Sequence, residues 1–314
     1  MSVSRRTFVS TAAIAAAADL PQAHAAVPAP MPTPPTDVDR GFVRLREGLV
    51  HYRSVGQLGK KRSTKALPLY LAHAGPGSSS GYPPMLLRLA GQRSCIAPDS
   101  LGAGDSAKPE VAQPDVAYYA DSVLRILDAL GIEQIDYCGA HTGAHIGTEL
   151  ALRAPGRVRR LILDGVTLFS DDLKKELLVK YAPPKVADDA GGHFPWAWQF
   201  IRDMGLFFPH YARDDAHRMH NAVPPPESTH RGAVEVLKNL TTYHMGYHAV
   251  FRHDIRPLLP RLKLPVLCMA SESDPVSQYL DESAALVPGA KKVLIPRAGG
   301  LEAKAAAIEA FLNA

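Results

Sequence analysis

Gly139-Ala140-His141-Thr142-Gly143 places an imidazole at the centre of a run of small residues. The run before it, Ile135 to Cys138, is short and mostly apolar and reads as a buried strand. The run after it carries Ile146, Leu150 and Leu152 on an apolar stripe at helical spacing. Small residues flanking a strand-to-helix junction mark a turn so tight that neighbouring side chains would collide with backbone. The central side chain is then held out at the top of the sheet, beside the helix N-terminus. A neutral imidazole has a free lone pair near pH 7. It can take a proton from water as a general base or attack an acyl carbon directly. His145 follows His141 at i, i+4, the spacing of two metal ligands on one helix face. No third ligand stands nearby in sequence, so hydrogen bonding within the helix packing is the expected role of His145, with no metal or other cofactor.

The surrounding elements must place that apex. Val43-Arg44-Leu45-Arg46 alternates apolar and charged residues, and with Leu49 to Ser54 it reads as an opening hairpin. Leu67 to Ala72, Ser94 to Ala97, Val158 to Leu163, Pro265 to Ala270 and Lys292 to Ile295 read as further strands. Amphipathic helices are expected over Val116 to Leu130 and Ala303 to Leu312. Strands alternating with helices predict an α/β protein with a mostly parallel, doubly wound sheet. Residues 169–253 break the rhythm with aromatics, histidines and proline pairs, and read as a helical cap inserted between core segments 41–168 and 254–314. The N-terminus carries Ser4-Arg5-Arg6-Thr7-Phe8-Val9, a weakly apolar run to Ala18, and Ala23-His24-Ala25. That order predicts a twin-arginine-type signal peptide over residues 1–25, read by the twin-arginine export machinery, and a periplasmic or secreted location. Residues 26–40 read as a proline-rich linker.

With those elements in place, the chain from about Gly41 onward resembles a capped α/β-hydrolase-fold protein. His73-Ala74-Gly75-Pro76-Gly77 resembles the oxyanion loop of that superfamily, and Ala97 to Pro109 is similar to the matching stretch of haloalkane dehalogenases and epoxide hydrolases. The resemblance implies a nucleophile elbow centred on residue 141, an acid at Asp274 after a late strand, and a histidine after the last strand. Here the elbow holds His141 rather than serine, cysteine or aspartate, and the last position falls on Gly300. A serine hydroxyl needs a separate base to take its proton; an imidazole at the elbow does not. The expectation is a His141–Asp274 dyad, with Asp274 fixing the tautomer and stabilising the imidazolium. The backbone N–H groups of Gly75 and Thr142 would form the oxyanion hole. His73, Ser78, Tyr243, His244 and His248 are candidates to face the substrate. Asp171 and Asp172 are weaker alternatives to Asp274 for the acid.

A net charge of +4 with scattered Lys and Arg gives no nucleic-acid footprint, and no apolar run past the N-terminus is long enough to span a membrane. Three cysteines in apolar runs read as buried free thiols. The expected function is a hydrolase of a small ester, lactone or related acyl substrate. The alternative is a non-hydrolytic member of the fold, serving binding or lyase- or isomerase-like chemistry. Dehalogenation through an aspartyl ester is excluded, because the elbow carries no carboxylate.

Overall fold

The computed structural model describes residues 37–59 and 66–314; the export segment and most of the linker lie outside them. One eight-stranded sheet runs through the molecule. In chain order its strands are β1 (Asp39–Leu45), β2 (Gly48–Val55), β3 (Leu69–Ala72), β4 (Cys95–Pro98), β5 (Ile135–Ala140), β6 (Val158–Asp164), β7 (Val266–Ser271) and β8 (Lys291–Ile295). Their spatial order is β1-β2-β4-β3-β5-β6-β7-β8. β1 and β2 form the antiparallel hairpin read from the sequence, with Leu45 opposite Gly48. β2 joins β4 antiparallel, and every later pairing is parallel. The mostly parallel, doubly wound sheet is therefore as expected.

Helices α1 (Pro83–Leu89), α2 (Val116–Ala129), α3 (Thr142–Arg153), α8 (Leu280–Leu286) and α9 (Gly300–Asn313) accompany the sheet. Helices α4 (Asp171–Lys180), α5 (His193–Met204), α6 (Pro226–Lys238) and α7 (Tyr243–Arg252) come from the stretch read as a cap. Residues on β6 show how the sheet divides the core. Leu161 and Leu163 join the cluster with Tyr137, Ile146 and Leu150, whereas Ile162 joins the cluster with Leu71, Leu86 and Ile308. That period of two is what a strand covered on both faces requires. A third cluster, with Phe169, Leu177, Tyr181, Phe200, Tyr243, Tyr247 and Phe251, is the core of the cap.

Two helices carry little signal in the sequence. α1 opens on Pro83-Pro84, which suits the first turn of a helix, where the missing N–H has no partner to lose. α8 is short and follows a 3-10 turn, so its periodicity is too brief to register. The three cysteines are free and buried. No helix among the described residues is long and apolar enough to cross a membrane.

Candidate functional site

β5 ends at Ala140, α3 begins at Thr142, and His141 alone makes the turn between them. Its backbone sits at φ 47°, ψ −102°, a positive φ that L-residues adopt only at a cost of order 1–3 kcal/mol. Three bonds hold it there. His141 N–H donates to Asp164 O on β6 at 2.8 Å, and His141 O accepts from Ala144 N at 2.9 Å and His145 N at 3.2 Å. The flanking glycines have steric causes. A Cβ on Gly139 would run into the Gly143 carbonyl and stand 2.8 Å from Ala144 N; one on Gly143 would lie 2.5 Å from Ala72 O. The ring itself has a berth. Gly165, at φ +74°, presents backbone where a Cβ would lie 3.0 Å from His141 Nε2.

Asp274 follows β7 and caps a 3-10 turn over Pro275–Tyr279. Its Oδ1 accepts from Val276 N at 3.0 Å. Its Oδ2 lies 2.7 Å from His141 Nε2. A carboxylate only accepts, so Nε2 is the protonated nitrogen and Nδ1 holds the lone pair. Among the described residues Nδ1 finds no hydrogen-bond partner and is not one of the sealed polar atoms; the ring is 34% exposed and lines a cavity. Burial disfavours the imidazolium. The Asp274 charge and hydrogen bond, with Asp164 behind them, outweigh burial and Lys304, and the imidazole titrates above its ordinary value. Burial likewise opposes the Asp274 carboxylate, but His141, the Val276 N–H and Lys304 hold it below its usual value. Lys304, from α9, is paired with Asp164 at 2.6 Å.

The cavity has a volume of about 420 Å³. His141, Thr142, Gly75 and Asp274 lie on its sheet side, and the cap supplies Tyr181, Met204, Phe208, Tyr247 and Phe251. Thr167, Asn221, Ser271 and Ser273 are polar points in an otherwise apolar lining. Thr142 N–H lies at the open N-terminus of α3, where helix N–H groups have no intrahelical partner. Gly75 N–H donates to Thr142 Oγ1 at 3.3 Å, while Gly75 O accepts from the Tyr247 hydroxyl at 2.9 Å. Of the expected oxyanion donors, then, one is open and one is engaged by a side chain.

The five residues expected to face substrate do not line this cavity. Each is turned elsewhere by a bond or by packing. His73 Nε2 accepts from Ser100 N at 2.9 Å and its Nδ1 meets Ala74 O at 3.1 Å, which ties two loops together. Ser78 caps a 3-10 turn by accepting from Ser80 N and donating to Ser80 Oγ. Tyr243 donates to Pro183 O, and the His248 ring bonds Ala182 O at 2.9 Å. His244 packs against His248 with ring centroids 5.1 Å apart; burial, with His248 and Arg252 nearby, lowers its pKa to about 4. His73 and Tyr243 border a narrow recess of about 30 Å³ that shares Gly75 and Thr142 with the main cavity.

Asp171 and Asp172 lie at the N-terminus of α4, paired with Lys174 and Lys175; it is Asp274 that meets His141. His145 is held inside the packing, bonded to Thr167 and His253. The metal-like grouping among the described residues is elsewhere, at His51, Asp99 and Asp105. Arg40 and Lys238 neutralise it, and Asp99 accepts Ser79 N and Asp105 N to close the turn after β4. Thr167 and the cap methionines escape a reading of the sequence, because no local pattern distinguishes a lining residue from a core one.

Sheet order, elbow and the acid after β7 together define a hydrolase scaffold. The family model described as the alpha/beta hydrolase fold matches residues 68–300, and the chain belongs to that family. It is 42% identical over 106 residues to 2-hydroxymuconate semialdehyde hydrolase of Pseudomonas sp. (strain CF600), covering 33% of this chain and 38% of that protein. It is 32% identical over 154 residues to proline iminopeptidase of Lactobacillus delbrueckii subsp. bulgaricus, covering 44% of this chain and 51% of that one. This chain thus matches about half or less of the length of these relatives. The enol-lactonase from Burkholderia xenovorans LB400 superposes with a TM-score of 0.66 at 20% identity, over 87% of this chain and 100% of that chain, a likeness of fold. The named relatives are hydrolases.

Proposed function

We propose that this protein hydrolyses a small, partly apolar ester, lactone or related acyl compound, using His141 and Asp274 in place of a three-residue triad. One observation carries the reading. The apex imidazole is bonded to Asp274 at 2.7 Å through Nε2, which leaves Nδ1 to accept, and the ring lines a cavity of about 420 Å³. In this reading Nδ1 takes a proton from water as the water oxygen adds to the acyl carbon. Asp274 stabilises the resulting imidazolium. Thr142 N–H, at the positive end of α3, receives the oxyanion, and Gly75 N–H joins it on leaving Thr142 Oγ1. The imidazolium then returns the proton to the leaving oxygen. The apolar lining supports an apolar acyl or alcohol part, and the named activities of the relatives support chemistry at a carbonyl carbon.

The pH dependence follows from the titration of His141. Only the neutral imidazole accepts a proton, and its pKa is raised above the ordinary 6.5. The rate kcat/KM is therefore expected to rise with pH through that raised value. Asp274→Asn removes the charge that raises it, so its acid limb shifts to lower pH. The profile is measured with 4-nitrophenyl butyrate; a wild-type limb below 6.5, or one unmoved in the variant, argues against the dyad.

A non-hydrolytic binding role is the second reading. It is supported by Gly300 where the family carries a histidine and by the engagement of Gly75 N–H with Thr142 Oγ1. A panel of activated esters and lactones decides between the two: saturable ligand binding without turnover favours the binder.

We also propose export by the twin-arginine route to the periplasm or beyond, supported by Arg5-Arg6 and Ala23-His24-Ala25. A reporter fused after residue 40 is expected in the periplasmic fraction, with the double variant Arg5→Lys, Arg6→Lys retained in the cytoplasm. Periplasmic reporter in both removes the proposal.

A further inference from the structure

Behind the elbow, a second hydrogen-bonded chain leads out of the same cavity. Thr167 lines the cavity, and its Oγ1 lies 2.7 Å from His145 Nε2. His145 Nδ1 lies 2.9 Å from His253 Nδ1. His253 Nε2 lies 3.0 Å from Glu149 Oε1. Burial falls along the way: His145 is 1% exposed, and the side chains of His253 and Glu149 are 12% and 19% exposed.

With His253 neutral, the donor directions follow from the carboxylate end. As a carboxylate, Glu149 can only accept, so His253 Nε2 carries a proton, and with His253 a neutral imidazole its Nδ1 accepts. His145 must then donate from Nδ1 and accept at Nε2. The Thr167 hydroxyl is left to donate to His145, with its own lone pairs free for a donor from the cavity. Every hydrogen bond points outward.

We infer that Thr167, His145, His253 and Glu149 form a relay that carries a proton from the cavity to the surface during turnover. The inference rests on the hydrolase reading above, which releases an acid product into a mostly apolar chamber. The step balances. The product acid or a bound water gives a proton to Thr167 Oγ1, which passes its own to His145 Nε2. His145 passes its Nδ1 proton to His253 Nδ1, and His253 passes its Nε2 proton to Glu149, which releases it to solvent. One proton enters and one leaves, and no electrons are transferred. Thr167 is the group that meets substrate; the other three are positioning residues. The charged and titratable groups facing His145 are His141 at the turn before α3, His253 after α7, which is in turn bonded to Glu149, and Lys174 on α4, itself 3.8 Å from Asp254. Burial, with His253, His141 and Lys174 adding to it, holds the pKa of His145 well below its ordinary value. It therefore rests neutral, as the relay requires.

Two measurements test this on the full-length protein. In ¹⁵N-histidine spectra at pH 7, His145 is expected as the Nδ1–H tautomer and His253 as the Nε2–H tautomer; the reverse pair, or a doubly protonated His145, overturns the relay whether or not the protein turns over any ester. With 4-nitrophenyl butyrate, Thr167→Val is expected to lower kcat about tenfold or more with KM little changed, and Thr167→Ser to restore it. An unchanged kcat in Thr167→Val overturns the relay and leaves the hydrolase reading standing. Absence of wild-type turnover removes the hydrolase reading, and the tautomers alone then decide whether the outward chain exists.

Discussion

His141→Ala is expected to abolish most turnover of activated esters, lowering kcat/KM by roughly 10²–10⁴-fold, the range of one general base. Asp274→Asn is expected to come close to it, because the amide can no longer both fix the tautomer and stabilise the imidazolium. The two losses should not add in the double variant, since each removes the same unit. His141→Ser is the sharper control. A serine hydroxyl needs a base, and the position where the family supplies one is Gly300, the first residue of α9 after a left-handed Gly299 at φ 66°. The serine variant is therefore expected to stay as inactive as the alanine one. Steady-state kinetics on a purified panel, with circular dichroism to verify folding, checks all four. Full activity in His141→Ala would end the dyad proposal; recovery in His141→Ser would show that another residue supplies the base.

Gly139→Ala should be strongly destabilising. The new Cβ would meet the Gly143 carbonyl and the Ala144 nitrogen, both backbone atoms that cannot swing aside. Relief requires β5 and α3 to separate, and overpacking of this kind costs about 3 kcal/mol or more. At about 2–4 °C per kcal/mol for a domain of this size, Tm should fall by roughly 6–12 °C. Gly300→Ala is the matched control. A Cβ added there would meet nothing within 4 Å, and the residue's φ is not positive, so the change should stay within about 0.5 kcal/mol. Thermal melts of the two variants check the pair; equal melting points would mean the elbow is looser than its geometry implies.

The sheet was legible because strands such as Leu69–Ala72 and Val266–Ser271 are short, mostly apolar runs, and because helices fall between the strands. The elbow was legible because its small residues are required by backbone contact. Both signals are local. The lining of the cavity was not. Tyr243, His244 and His248 share a helix with Tyr247, yet only Tyr247 of these four faces the chamber, since each of the others is drawn elsewhere by the cap core or by the Pro183 and Ala182 carbonyls. The register of an inserted helix about its own axis depends on residues far away in sequence. The same holds for Thr167, whose role is set by a histidine on α3 and another after α7.

Tyr247 has a further consequence. Its hydroxyl grips the Gly75 carbonyl, and Gly75 carries one of the N–H groups assigned to the developing charge. The phenol thus ties the roof of the chamber to its floor. Any swing of α7 away from the sheet would break this bond and leave the Gly75 peptide free to turn.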